Sequence, residues 1–387
     1  MGWAQSSDAT LRGKAAPDLQ VTAKNVATGA VRHTNTGADG SYTLVGLTPG
    51  TYQVDAGPGT ERTVTLTVAS TAQLDFAAAP GTPASGEPTT LGGVSVTATT
   101  LTEVKTSEIG TNVSLHQIQT TPQITRNFLE FADTVPGMVF QVQNGKTSIQ
   151  SGAQASSQVN VYIDGVGQKN YVHGGGVSGQ AGASHDGDPG NPFPQLAIGE
   201  YKVITSNYKA EYDQISSAAI TAETKSGTNE LHGEVFGDYT NQNYRSETPA
   251  EKAAGGDKAV SANKEWGFAV GGPIIQDQLH YFFTYEKKQF STPTTTNPPS
   301  NTYNGQPYSV FLPADVQSQF GPSSKPFDED LYFGKVDWEF SDRDRVEVSS
   351  KVRKETQING AGGQVAPSAN YNYQNNDTRI DGRWQHS

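Results

Sequence analysis

The residues whose types most suggest chemistry are Lys225-Ser226-Gly227-Thr228, with Ser206-Asn207-Tyr208-Lys209 upstream. A Ser-x-x-Lys and a Lys-Ser/Thr-Gly together mark one class of serine acyl-transfer site, where a lysine stands beside the serine nucleophile. The spacing here is wrong for that chemistry. The two motifs must come from separate, distant elements, whereas Ser206 and Lys225 are close in the chain and no Ser-Asp-Asn lies between them. A second Ser-x-x-Lys, Ser261 to Lys264, follows the Lys-Ser-Gly instead of preceding it. The chain reads as a non-enzyme.

His173, His185, Asp186 and Asp188 share a glycine-rich stretch, Gly174 to Asn191, that has no periodicity and reads as a loop. Asp186 and Asp188 suit a hard cation such as Ca²⁺. A solvated loop explains the same residues, and no His-Glu-x-x-His or other compact ligand spacing occurs. Gly174-Gly175-Gly176 lacks the Lys-Ser/Thr that opens the helix of a phosphate loop. There is no cysteine, which excludes thiolate metal sites, a cysteine nucleophile and disulfides. No cofactor is expected. The formal net charge of −12, with no dense Lys/Arg block, argues against nucleic acid as a partner.

The elements around these residues are mainly β. Hydrophobic residues make up 34% of the chain and charged ones 17%, with 42 glycines, a balance that suits strands joined by long polar loops. No run of 18 apolar residues exists, which excludes a membrane-spanning helix but not a transmembrane barrel. Trp3-Ala4-Gln5 reads either as the scar of a cleaved signal peptide or as an ordinary start.

From Ser7 to Ala78 several short strands follow: Val21 to Asn25, Ser41 to Leu44, Thr51 to Val54, then Val64, Leu66 and Val68 alternating with threonines and continuing to Leu74 and Phe76. Asp39-Gly40 and Pro49-Gly50 supply turns, and the spacing predicts a small β-sandwich. Ala38-Asp39-Gly40-Ser41-Tyr42 and Gly46-Leu47-Thr48-Pro49-Gly50-Thr51-Tyr52 resemble the carboxypeptidase regulatory-like family, which implies a non-catalytic, transthyretin-like sandwich. A Pro/Gly/Ala/Ser/Thr linker follows, too polar to pack.

The next stretch mixes helix and strand. Thr125 is placed to N-cap a helix over 126–133, stopped by Pro136-Gly137. Val159, Val161 and Ile163 alternate before the Asp164-Gly165 turn, and 201–204 and 218–224 read as strands. Ile109-Gly110-Thr111-Asn112-Val113-Ser114, Arg126-Asn127-Phe128-Leu129, Val135-Pro136-Gly137, Val161-Tyr162-Ile163-Asp164-Gly165 and Ile198-Gly199-Glu200-Tyr201-Lys202-Val203-Ile204 resemble the plug domain of TonB-dependent outer-membrane receptors. Asp188-Pro189-Gly190-Asn191-Pro192-Phe193-Pro194 and Asn207-Tyr208-Lys209-Ala210-Glu211-Tyr212 point to the Oar-like branch, which also carries the N-terminal sandwich.

The last third tests the barrel independently. Strands are expected over 231–240, 265–273 and 279–290. Three more follow, around Tyr332 to Phe340, around Val346 to Val352, and around Ile380 to Trp384. Ile275 to Gln278 and Ser341 to Asp344 are tight turns, while about 23 residues, Ser291 to Glu329, and Glu355 to Ala369 are long loops. Tyr332, Val336, Trp338 and Phe340 oppose Lys335, Asp337 and Glu339, the pattern of a lipid face and a polar lumen. A soluble sandwich gives the same alternation but not loops of that length. About six strands cannot close at the radius of the family's barrels, so this reads as the N-terminal part of a longer protein.

The fold expected is therefore a transthyretin-like sandwich (6–79), a linker (80–102), an α/β plug (103–228) and the first strands of an incomplete transmembrane antiparallel barrel (229–387). Within the linker, the resemblance implies a TonB box at Val94, Ser95, Val96, Thr97 and Ala98, pairing with TonB's periplasmic domain by strand addition. It also implies energised passage of an unidentified ligand across the outer membrane of a Gram-negative cell, in contact with its lipid. Tyr171, His173, His185, Asp186, Asp188 and Asn191 are the candidate ligand contacts. The alternative is a surface adhesion or carbohydrate-binding envelope protein without transport. Lys225 to Asn229 then becomes the polar exit from plug to wall.

Overall fold

The computed structural model describes residues 7–76, 99–100, 107–123, 125–143, 146–169, 190–210, 212–247, 251–252, 258, 260–360 and 362–386. The chain begins with a sandwich of β1 (Ala9–Lys14), β2 (Gln20–Asn25), β3 (Val31–Asn35), β4 (Ser41–Leu47), β5 (Gly50–Asp55), β6 (Arg62–Leu66) and β7 (Thr71–Gln73). One sheet runs β4-β1-β7. The other runs β3-β2-β5-β6 and ends on β8 (Thr99–Thr100), parallel to β6. Period-two alternation turns Tyr42, Leu44, Tyr52, Val54, Val64 and Leu66 into one core with Leu11 and Val21. The expected alternation holds through the buried Val68 and then breaks. Ala69 takes φ 49°, the chain turns, and β7 joins β1 in the other sheet before Leu74 and Phe76 reach the core. The sequence reading misses β1, whose only bulky apolar residue is Leu11. Its Gly13 is required, because a Cβ there would lie 1.8 Å from the Leu74 carbonyl oxygen.

The middle block contains β9 (Ile109–Val113), β10 (Met138–Gln143), β11 (Lys146–Ser151), β12 (Val159–Ile163), β13 (Val166–Gly167), β14 (Ile198–Ser206) and β15 (Ala218–Thr224). Its sheet is ordered β13-β12-β15-β14-β9, and β12 and β15 are buried at every position. Helix α1 (Leu115–Thr120) starts at a capping box of Ser114 and Gln117, a signal not used in the sequence reading. The helix expected from Thr125 is instead a 3-10 helix, Phe128–Thr134, capped by Asn127. Thr125 turns its hydroxyl to Glu130, 2.8 Å away, so it fixes the approach and leaves the cap to Asn127. Phe128, Leu129 and Phe131 enter the core, which extends into Ala269, Phe282 and Phe333 of the sheet that follows.

That sheet is a six-stranded antiparallel meander: β16 (His232–Asn241), β17 (Ala262–Ile275), β18 (Leu279–Thr296), then, after the short hairpin β19 (Thr302–Tyr303) and β20 (Gln306–Pro307), β21 (Gly321–Ser341), β22 (Asp344–Asn359) and β23 (Tyr371–His386). Short and long connections alternate as expected. The loop expected over Ser291 to Glu329 is shorter, because Thr292 to Thr296 pair with Gly321 to Lys325 and lengthen both strands. Polar residues occupy both faces there, so no alternation announced the extension. Pro293 is tolerated because β17 ends opposite Ser291, so only β21 pairs with β18 at that position.

Candidate functional site

The six-stranded sheet reverses the burial of a soluble protein. Glu265, Glu286, Lys335, Glu347, Lys351 and Arg353 are buried, whereas Trp266, Trp338, Phe340, Val348, Ile380 and Trp384 are exposed. Neighbouring residues of one strand thus send charge inward and aromatic carbon outward. Exposed apolar surface on this scale is stable only against something other than water, and a charged inner face needs partners.

Those partners come from the middle block. Lys335 lies 3.5 Å from Glu223 of β15, 4.0 Å from Asp164 in the β12–β13 turn and 3.7 Å from both Asp337 and Glu347 of the sheet. Glu286 accepts the Leu196 N–H at 2.6 Å. Lys351 donates to the Pro192 carbonyl at 3.3 Å. Arg353 is fully buried between Glu329 and Glu355, and Glu329 in turn accepts the Asn191 backbone N–H with both oxygens at 3.0 Å. The Arg126 guanidinium stacks 3.5 Å over the Phe236 ring. Buried ion pairs gain little net stability, but removing one partner strands the other, so they fix register between block and sheet.

The segment joining block to sheet, Lys225 to Asn229, is built for close passage. A Cβ on Gly227 would meet the Tyr281 carbonyl at 2.3 Å and the Gly272 carbonyl at 2.7 Å. Asn229 donates to the Asp277 carboxylate and accepts its N–H, both at 2.8 Å, tying the exit to the β17–β18 turn. Lys225 pairs with Glu234 at 3.3 Å, and Lys209 lies 3.9 Å from Glu108. Lys225 and Lys209 are therefore each engaged with a carboxylate.

The sandwich sits at the same end. Asp8 meets Arg345 at 2.9 Å and Arg383 at 3.4 Å, and Arg32 meets Glu339 at 2.6 Å. Ser7 hydrogen-bonds Glu223, the Val68 N–H donates to Glu200 at 3.2 Å, and Asn112 donates to Thr67 at 3.1 Å. Burial pushes the Glu200 carboxyl up to about 7, against opposition from the Val68 hydrogen bond and Lys202. Sandwich, block and sheet thus meet around Glu223. No sequence signal announces these contacts, since the paired residues lie between 45 and 375 positions apart.

Of the residues expected to bind partners, Val94, Ser95, Val96, Thr97 and Ala98 lie outside the described residues. So do Tyr171, His173, His185, Asp186 and Asp188. Asn191 is described and buried; its side-chain amide donates to the Arg126 carbonyl at 2.6 Å. Thr99 and Thr100, directly after the expected TonB box, are zipped onto the sandwich edge through β6.

Residues 8–79 match the carboxypeptidase regulatory-like domain family, and residues 223–315 match the outer membrane beta barrel domain family. The TonB-dependent transporter Oar from Myxococcus xanthus is 25% identical over 162 residues, 41% of this chain and 14% of that protein. The chain thus spans a small part of the curated relative it matches. The outer membrane transporter YddB from Escherichia coli shares the fold, with a TM-score of 0.54 and 12% identity over 72% of this chain and 37% of that one. The siderophore receptor PirA from Acinetobacter baumannii gives a TM-score of 0.43 and 17% identity over 66% and 32%. The barrel-domain match and the transporter relative place the chain at the outer membrane of a Gram-negative cell.

Proposed function

We propose that this homologue of TonB-dependent outer-membrane transporters supplies the periplasmic sandwich (6–79), the TonB-reading linker (80–102), the plug (103–228) and the first wall strands (229–387) of a receptor that passes a ligand inward. The observation that carries the reading is the inverted burial of the sheet, whose charged face is filled by the middle block and whose aromatic face is open. An open membrane sheet is not viable, because the free edges of β16 and β23 would leave backbone groups unpaired in lipid. Closure requires further strands beyond these six.

In this reading Val94 to Ala98 pair as an added strand with TonB, whose pull reaches the plug through the chain that follows. Tyr171, His173, His185, Asp186, Asp188 and Asn191 belong to the plug segment nearest the ligand. The test is capture of the full-length protein by the periplasmic domain of TonB. Capture that disappears when residues 94–98 are deleted supports the reading. Capture that is unchanged by the deletion removes the role of that segment.

A further inference from the structure

A cavity of about 420 Å³ lies between plug and wall at the end opposite the sandwich. Its wall residues, among them Thr240, Asn263 and Thr292, stand where β16, β17 and β18 run into the long loops, and Thr125 and Thr147 close it from the plug. The sandwich clamps the short-turn end, through Glu339 and Arg345. The cavity therefore opens away from the periplasmic domain. Its volume falls in the range of about 300–1,000 Å³ that holds small ligands.

We propose that this cavity binds a neutral, polyhydroxylated ligand, a glycan segment. Its polar lining is dominated by threonine and serine hydroxyls and by the amides of Asn241 and Asn263, groups that both donate and accept. Its charges cancel locally. Lys288 lies 3.7 Å from Glu265, and Arg245 grips Glu251 through both guanidinium nitrogens at 2.6 and 2.7 Å. A polyanionic ligand would need uncommitted positive charge, which this lining does not offer. The Asn263 Oδ1 is buried without a hydrogen-bond partner, while its Nδ2 donates to Glu265 at 3.2 Å. A buried acceptor left open is costly unless a donor arrives, and a ligand hydroxyl supplies one. Phe290, stacked on Phe327 with ring centroids 4.5 Å apart, adds an apolar wall for the C–H face of a sugar ring.

The side of the membrane rests on the transport reading; the ligand class rests on the lining alone. The experiment uses the full-length protein in detergent on an array of neutral and acidic glycans, with ferric enterobactin as the anionic chelate. Retention of neutral glycans is expected, weakened about tenfold or more in Asn263→Leu. Glu265→Gln, which frees the Lys288 charge, should shift preference toward acidic glycans. Unchanged heat-dependent gel mobility shows that each variant is folded, and the Glu265→Gln shift stands as an independent readout if Asn263→Leu is not. Retention of acidic glycans or the ferric chelate only, or of no neutral glycan, overturns the proposal. Capture by TonB's periplasmic domain is scored on the same preparation. Capture without neutral-glycan retention removes the ligand class and keeps transport. Neutral-glycan retention without capture does the reverse.

Discussion

The ammonium of Lys335, on the fourth strand of the wall, lies 3.5 Å from the carboxylate of Glu223, on the last strand of the plug. Both are buried, and Glu223 also accepts the Ser7 hydroxyl of the sandwich. One carboxylate therefore senses all three parts of the chain. Displacing the plug must break this contact.

Lys335→Met leaves Asp164, Glu223, Asp337 and Glu347 crowded without their shared cation. Loss of one partner from a buried ionic cluster costs roughly 3–5 kcal/mol. Amide exchange of β15 in the folded protein should accelerate accordingly. Unchanged protection of β15 would show that the plug is held by packing alone.

Gly227→Ala puts a methyl group 2.3 Å from the Tyr281 carbonyl, a backbone atom that cannot rotate away. The exit segment must shift and the Asn229–Asp277 clip must open, a loss of about 1–3 kcal/mol. A lower unfolding temperature is expected, with faster exchange at the start of β16. Wild-type behaviour would mean that the close passage is not needed.

Asp8→Asn combined with Arg32→Gln removes the sandwich's charged contacts with Arg345, Arg383 and Glu339 while leaving its own core of Leu11, Val21 and Tyr42 intact. The sandwich should stay folded and detach from the wall, seen as faster proteolysis in the linker and a larger hydrodynamic radius. A rate equal to wild type would assign docking to the uncharged contacts.

Glu200 gives docking a pH dependence. Its carboxyl is held up at about 7 against the ordinary 4.5 of a free glutamate, so the docked form keeps a proton that the undocked form gives up. The contribution is complete below pH 4.5 and declines as pH rises through 7. Sandwich–plug cross-linking between cysteines placed at Thr67 and Asn112 should weaken from pH 5 to pH 8, and Glu200→Gln should flatten the slope. A rise with pH would mean that Glu200 is ionised when docked.

Much of this was legible in the sequence where one face is dry. Trp338 and Lys335 alternate because one face of the sheet packs on the middle block and the other stays open, so β21 announced itself. Where polar residues occupy both faces the signal is lost, and Thr292 to Thr296 looked like loop although they pair along Gly321 to Lys325. The cap at Asn127 was hidden beside Thr125, which also belongs to the capping residue types though it ranks below Asn. The Asp8–Arg345 contact was invisible, since nothing local encodes a pair joined only by the final packing. The Lys-Ser-Gly was visible but misleading until its setting appeared: Gly227 is there for backbone clearance, and Lys225 pairs with Glu234.

The central claim is that the aromatic face of the sheet meets lipid and the charged face meets the plug. These 387 residues hold no cysteine, so single nitroxide labels can be placed among them in a cysteine-free form of the full-length protein reconstituted in lipid vesicles. Labels at Phe268, Val336 and Val348 should collide readily with dissolved oxygen and poorly with a water-soluble nickel chelate, while labels at Lys335 and Glu347 should be sheltered from both. High nickel accessibility at Phe268, Val336 and Val348 would contradict the claim and make the sheet a water-exposed one.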